Sequence, residues 1–335
     1  MSADTHWGVW LHAVRPLPQL ADLAAAAEDL GAAAVLVADE GTDRDLYVTL
    51  TVLAQRTRQV LLIAAVTNPH SRHPVATAAA LASVAELAPD RVVAGLGAGG
   101  SRVLGPMGLS PARPYTALAE SVDVIDALLG GEVVQHDGEF TARGAALPWS
   151  PGRLPIALAG RGPRTERLAA ERADWVLLAG KAVDDVPDLV RRLRAGPGHP
   201  PAIAWNPGAA WTRAMIGEIR SHLAYMTIDL PPEERHELGV DDALAGRLRE
   251  AVAALGPEAA GPLVPDAVLQ RYAVTGSREA VVARIAALRA LIRPELLLFD
   301  AGDYSAAYLK NAAAVITEAG AVAGALPASR WPART

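Results

Sequence analysis

The stretch VLLIAAVTNPHSRHPVATAAALASVAEL, residues 60–87, decides how this chain folds. VLLIAA (60–65) is an apolar run of strand length, and VATAAALASVAEL (75–87) is an alanine-rich run of helix length. Between them VTNPHSRHP (66–74) carries Thr67, Asn68, His70, Ser71, Arg72 and His73. A strand followed by a returning helix places these groups at the strand's C-terminal end. In parallel α/β folds that is the end where ligands bind. The pattern recurs at once, because RVVAGLG (91–97) reads as a strand closing on Ala98, Gly99, Gly100 and Ser101. Two consecutive strand ends, one polar and one rich in glycine, point to a shared pocket.

Working outward, the same alternation covers most of the chain. WGVWL (7–11), AAVLVA (33–38), LPIALAG (154–160), DWVLLAG (174–180), PAIAWN (201–206) and ELLLFD (295–300) read as further strands. Helices are expected over 17–31, 46–57, 115–131, 163–173, 186–196 and 278–292, several of them ending on glycine. EVVQHDGEFTA (132–142) holds two alternating runs around Asp137-Gly138, a strong hairpin signal, and reads as an excursion outside the main sheet. Residues 210–273 hold too many charges and prolines for one strand–helix unit and read as helices inserted after the seventh strand.

Eight strands alternating with helices predict a (β/α)8 TIM barrel of the α/β class with inserted helical segments. The alternative is a doubly wound sheet plus a helical domain. No linker or low-complexity segment divides the chain, so a single domain over 1–335 is expected, with the hairpin near 132–142 and the insertion near 207–273.

Composition narrows the function classes. The chain has 335 residues, 51% of them hydrophobic, which suffices for one large core or two smaller ones. Aromatics are only 4%, so that core must be built from Ala, Val and Leu. A net charge of −6 gives no basic footprint for nucleic acid. No uninterrupted apolar run reaches the ~18 residues of a membrane span, and MSADTHWGVW lacks the basic n-region and long apolar stretch of a signal peptide. Zero cysteines exclude a disulfide scaffold and suit a reducing compartment. A cytoplasmic protein acting on a small molecule, with neither nucleic acid nor membrane as partner, is the expectation.

The strand ends supply the candidate chemistry. In order they carry His12 and Arg15; Asp39 and Glu40; the 66–74 loop; Gly97, Gly99, Gly100, Ser101 and Arg102; Gly160, Arg161, Gly162 and Arg164; Gly180 and Lys181; Asn206; and Asp300. Glycine-rich ends let backbone amides approach a phosphate or a flat ring. GLGAGGS lacks the full dinucleotide fingerprint and its acidic partner, and is by itself compatible with a plain tight turn. AGRGPRTER places two glycines and two arginines at a helix N-terminus, which suits a phosphate or carboxylate. His70 and His73 have no third ligand at a metal-binding spacing, so no metal site is expected. With no GxSxG elbow, no cysteine and no Walker loop, a cofactor is the expected carrier of the chemistry.

These residues are similar to a known family. VTNPHSRHPVATAAALASVAELAPDRVVAGLGAGGS resembles the core signature of the luciferase-like monooxygenase superfamily, and within it the F420-dependent methylenetetrahydromethanopterin reductase-like branch. LHA, ADE, ESVDVIDALLGGEVVQHDGEF, PIALAGRGPRTERLAAERADWVLLAG and YAVTGSREAVVARIAAL extend the likeness over residues 6–300. The resemblance implies a TIM barrel, often dimeric, with a non-prolyl cis peptide at Ala65-Val66 whose bulge supports the face of a tricyclic ring. It implies Thr67 and Asn68 near the ring's pyrimidine side, with Gly97, Gly99, Gly100, Ser101, Ala159, Gly160, Arg161 and Gly162 along the ribityl chain and phosphate. Arg164 would assist at the phosphate, and Arg72 and Arg102 at an acidic tail.

The implied activity is hydride transfer between the C5 of coenzyme F420 and a small unsaturated, carbonyl or imine substrate. Asp39 or Glu40 would supply or accept the proton, assisted by His12 or His70. Other members imply two alternatives. One is a monooxygenase using reduced FMN from a separate flavin reductase; the other is an inactive flavin-binding paralogue. One departure stands out. Relatives often carry Asp-His after the second strand, where this chain has Asp39-Glu40. Trp205, Trp211, Tyr225 and Met226 are candidates for the pocket wall, with ordinary core packing as the alternative.

Overall fold

The computed structural model describes residues 4–326; residues 1–3 and 327–335, which the single-domain expectation and the N-terminal stretch include, lie outside the described residues. Its first half alternates as expected: β1 (His6–Leu11), α1 (Leu17–Asp29), β2 (Ala34–Val37), α2 (Leu46–Arg56), β3 (Leu61–Ala64), α3 (Pro74–Leu87) and β4 (Val92–Leu96). A short α4 (Ser101–Leu104) precedes α5 (Pro114–Leu129), the hairpin β5 (Val134–Asp137) and β6 (Thr141–Ala145), and then β7 (Ile156–Leu158). There follow α6 (Pro163–Arg172), β8 (Trp175–Leu178), α7 (Val186–Arg194), β9 (Ala202–Trp205) and β10 (Ala209–Ala210). The insertion comprises α8 (Arg213–Asp229), α9 (Pro232–Glu237), α10 (Asp242–Leu255), α11 (Pro257–Ala260) and α12 (Asp266–Tyr272). The chain closes with β11 (Val274–Thr275), α13 (Arg278–Ile292), β12 (Leu296–Asp300) and α14 (Ala306–Glu318).

Eight of these strands close a parallel barrel in the order β1-β12-β9-β8-β7-β4-β3-β2. Strand periodicity explains its two cores. Along β2, Ala34 and Leu36 face the barrel interior with Ile63, Val93, Trp175 and Leu298, whereas Val35 and Val37 face the helices. Burying each Leu or Ile side chain contributes about 1.5–3 kcal/mol. Small alanines let α1 and α3 lie close to the sheet, as the low aromatic content demands. Helix starts are marked locally: the Asp45 carboxylate accepts from the amides of Tyr47 and Val48 at 2.9 Å each, and Thr212 and Ser277 cap α8 and α13. Among the described residues no helix is long and apolar enough to cross a membrane.

Two details differ from expectation. The hairpin is a separate two-stranded sheet, but Asp137 pairs with Thr141 and the loop has three residues rather than the two-residue Asp137-Gly138 turn. The cause is tertiary: the Glu120 carboxylate of α5 accepts from the Glu139 amide at 2.7 Å and lies 3.0 Å from His136 Nε2, pinning the wider loop. Secondly, the insertion is clasped at its two ends by the parallel pair β10–β11, too short to read from sequence. Its helices bury a core of their own, including Leu223, Ala224, Val240, Leu248 and Val268.

Candidate functional site

The C-terminal end of the barrel is shaped first by the exit of β3. The Ala65-Val66 peptide is cis. Strand pairing stops at Ala64 and resumes at Thr67, whose amide donates to Gly95 O at 3.0 Å and whose carbonyl accepts from the Gly97 amide at 2.9 Å. The bulge needs room from β4, which glycine provides. A Cβ on Gly95 would stand 1.7 Å from Ala64 O, and one on Gly97 would stand 2.7 Å from Val66 Cγ2. Val66, Ala159 and Trp10 together cover the top of the inner barrel core. Asn68 Oδ1 accepts from the amides of His70 and Ser71 at 3.0 Å each, while its Nδ2 is buried without a protein acceptor.

Beside this bulge a polar chain links β2 to β3. Tyr47 donates to Thr67 Oγ1 at 3.2 Å, and Thr67 donates to Asp39 Oδ2 at 2.7 Å. Burial, with the charges of Asp45 and Glu40, pushes the Asp39 carboxyl up; the bonds from Thr67 and the Gly41 amide oppose this. Asp39 therefore ties the bulge down.

Glu40 faces a central cavity of about 310 Å3. Arg102 Nε lies 2.8 Å from Glu40 Oε2, and His12 Nδ1 lies 3.4 Å from Glu40 Oε1. Burial pushes the Glu40 carboxyl up, but the bond to His12 and the Arg102 charge outweigh it and hold it below the ordinary range. The other nitrogen of His12, Nε2, faces Asp300 Oδ1 at 4.0 Å, and Asn206 Nδ2 donates to Asp300 Oδ2 at 3.3 Å. The ends of β2 and β12 thus face one imidazole, with Arg102 and Asn206 paired to the two carboxylates.

The structure brings His12, Glu40, Arg102, Arg161, Asn206 and Asp300 to this cavity. Other predicted residues lie elsewhere. His70 lines a separate cavity with His73, Leu109 and Phe140, and burial pushes its imidazole down. His73 caps α3, its Nδ1 accepting from the Val75 amide at 3.2 Å. The Arg164 guanidinium lies over the Tyr115 ring at 4.0 Å, and that of Arg72 over Tyr47 at 4.6 Å. Gly160 admits the first turn of α6, since a Cβ there would meet Thr165 Cγ2 at 2.5 Å; Gly162 caps that helix at φ +95° with open space around it. Gly99 and Gly100 lead into Ser101, whose hydroxyl donates to Asp229 Oδ2 of α8 at 3.0 Å, so this loop also holds the insertion over the barrel.

The insertion adds what strand reading could not find. His222 of α8 lines the cavity, its ring 4.8 Å from that of His12. Met226 and Tyr272 line it too. Tyr225 lies beneath the Arg102 guanidinium at 5.4 Å, whereas Trp205 is buried and Trp211 packs against the barrel core. No motif marks His222. Its helical spacing to Ile219, Leu223 and Met226 was the available signal. Among the described residues no group of three or more His, Cys, Asp or Glu could hold a metal ion.

With this geometry in place, the chain can be compared with known proteins. The family model described as luciferase-like monooxygenase matches residues 1–293. The chain is 35% identical over 182 residues to a 5,10-methylenetetrahydromethanopterin reductase of Methanolobus tindarius, covering 54% of this chain and 56% of that protein. It is 33% identical over 194 residues to an F420-dependent glucose-6-phosphate dehydrogenase of Nakamurella multipartita, covering 53% and 57%. The matched part thus spans about half the length of these relatives. A solved coenzyme F420-dependent tetrahydromethanopterin reductase of Methanopyrus kandleri superposes with a TM-score of 0.79 at 22% identity, over 93% of this chain and 98% of that one.

Proposed function

Because the chain belongs to the luciferase-like monooxygenase family, we propose that it is an oxidoreductase that uses coenzyme F420 to move a hydride to or from a small organic substrate. The glucose-6-phosphate dehydrogenase reported above is named as F420-dependent, which favours the deazaflavin over FMN. The observation that carries the reading in this chain is the Glu40–His12–Asp300 cluster facing a cavity at the C-terminal end of the barrel. It is an acid–base device with no nucleophile in it.

The residues present fit such a cofactor. Asn68 offers a buried amide nitrogen that no protein group satisfies. Arg161 faces the cavity with no ion-pair partner among the described residues. Ala65, Val66, Thr67 and Asn68 would hold the ring; Gly97 to Ser101 and Ala159 to Gly162, with Arg161, would hold the ribityl chain and phosphate. When bound, F420 supplies a two-electron hydride at its C5.

The chain's own part is to orient and to manage one proton. Glu40 stays ionised between Arg102 and His12, with its Oε1 3.4 Å from Nδ1. His12 turns Nε2 toward Asp300 and the cavity, where it would pass a proton to or from a substrate. Glu40 thereby replaces the histidine common at this position by acting through His12.

The test is a titration of purified protein with each cofactor, read by F420 fluorescence and by flavin fluorescence. Saturable F420 binding with no FMN binding is expected. Tight FMN binding with none for F420 would sink the reading in favour of a two-component monooxygenase.

A further inference from the structure

The loop that leaves β12 reaches back to His12. β1 and β12 pair in parallel as far as Trp10 and Asp300, and the Ala301 amide donates to Trp10 O at 3.0 Å. The next rung of such a ladder would run from the His12 amide to Ala301 O. The chain turns away instead: Gly302 has φ +57°, and Ala301 O accepts from the Tyr304 amide at 3.0 Å. The Tyr304 hydroxyl takes the vacated place. It accepts from the His12 amide at 3.2 Å and donates to His12 O at 2.9 Å. One phenol thus engages both main-chain polar groups of one residue. Tyr304 itself stands at φ +62°, a left-handed conformation that a bulky side chain rarely adopts and that persists only where the surroundings hold it.

This hold matters because of the ring that His12 bears. Its Nδ1 stands 3.4 Å from Glu40 Oε1 and is buried without a hydrogen bond of good geometry, and its Nε2 stands 4.0 Å from Asp300 Oδ1. The two carboxylates attract the ring and turn it, but contacts this long do not fix where it stands. The main chain beneath it does. Tyr304 anchors that main chain from the same loop that Asp300 opens, so one loop sets both sides of the His12–Asp300 gap. The half-buried Tyr304 ring borders a second cavity of about 740 Å3, and the Arg15 guanidinium lies 5.5 Å from its centroid. Burial leads in pushing the phenol up to about 12, with Asp300 and Asp43 adding to it against the His12 bond and Arg15. The hydroxyl therefore keeps its proton at neutral pH and remains the donor to His12 O.

We propose that Tyr304 is a positioning residue of this site: its hydroxyl replaces a strand rung at the β1–β12 seam and so holds the His12 imidazole in place before Asp300 and the cavity. This rests on the reading of His12 as the group that passes the proton. Proton transfer depends steeply on distance, so an imidazole mounted on a loose main chain is a poor acid or base even in an intact fold. Tyr304 acts only through His12 and takes no part in the transfer itself. No motif marks it, because its partner lies 292 positions away.

The experiment is nitrogen NMR of cofactor-free protein labelled in its histidines, the His12 resonances identified from His12→Gln. Wild type is compared with Tyr304→Phe, with Tyr308→Phe on the same cavity wall, and with p-aminophenylalanine in place of Tyr304, which keeps a donor and a lone pair. Tyr304→Phe should speed exchange of the His12 amide about tenfold, the worth of one hydrogen bond, and broaden or double its ring signals. Its melting temperature should stay within about 5 °C of the wild type. Tyr308→Phe and the amino variant should each change that exchange by less than about threefold and leave the ring signals single. His12 signals unmoved by Tyr304→Phe overturn the proposal, as does an equal response to Tyr308→Phe or no rescue by the amino group. A loss of melting temperature with the ring signals still single marks a merely structural bond and overturns it too. In the wild type the Tyr304 hydroxyl proton should exchange slowly and cross-relax with the His12 amide; its absence overturns the proposal whether or not any variant folds. F420 fluorescence titration of the same samples separates the two readings. No F420 binding with the Tyr304 pattern intact rejects the cofactor alone, and F420 binding without that pattern rejects the role of Tyr304 alone.

Discussion

Glu40 and Asp39 are adjacent carboxylates that the fold drives in opposite directions, and their pH signatures should differ accordingly. Glu40 is held below the ordinary range, so its contribution to stability is present above the unfolded-state value and is lost as pH falls through the folded one. Glu40→Gln should therefore cost about 1–3 kcal/mol in urea melts at neutral pH, with the gap from the wild type closing in acid. It should also lower kcat about a hundredfold or more, because His12 loses its orienting partner. Asp39 is pushed up, which reverses the sign: its charged form is a burden that grows as pH rises through the folded value. Asp39→Asn keeps an oxygen for Thr67 and removes the buried charge. It should melt at or above the wild-type temperature at pH 7–8, with any advantage fading in acid; a clear loss at neutral pH would contradict this account. A third residue, Gly97, tests the fit of β4 against the bulge. Gly97→Ala would place its Cβ 2.7 Å from Val66 Cγ2, costing about 1–3 kcal/mol and weakening F420 binding. Gly100→Ala meets only Asp229 Oδ2, at 3.8 Å, and should shift stability by less than about 0.5 kcal/mol.

Elements differ in how far their own residues determine them. α3 follows from its proline at the first turn, the His73 cap and an alanine-rich run, and its end at Leu87 matches the sequence pattern. The 278–292 helix was legible to both ends because Ser277 caps it and its apolar residues recur at helical spacing. The hairpin was not, because the Glu120 carboxylate from α5 outvotes the local Asp137-Gly138 preference. α8 depends on tertiary contacts in the same way. Its attachment to the barrel runs through Asp229 to Ser101 and through Tyr225 to Arg102. Asp229→Ala combined with Tyr225→Ala should speed amide hydrogen exchange in 213–229 severalfold while exchange in β1 to β4 stays unchanged. Equal loosening of both regions would show that the insertion and the barrel open together.

At the scale of the molecule, the chain is a barrel that carries a second core on its functional end. Eight strands with alternating faces and glycine-marked helix ends made the (β/α)8 architecture readable, since strand and helix periodicity depend on a residue's near neighbours. The strand-end residues were readable for the same reason, and so was the bulge once the family likeness was recognised. Near-neighbour patterning along the chain specified this architecture and the set of groups delivered to one end of it. Which of those groups meet was decided by the tertiary structure. Side chains 28 to 288 positions apart touch only because the barrel closes β1 onto β12 and the insertion folds back across the mouth. Thus His12 met Glu40 and Asp300, Asp39 turned to Thr67, His70 went to a separate cavity, and His222 arrived from a segment without a motif. The physical reason is that periodicity specifies which way a residue faces along its own element, whereas a site is a coincidence of elements in space, fixed by packing and charge pairing across them.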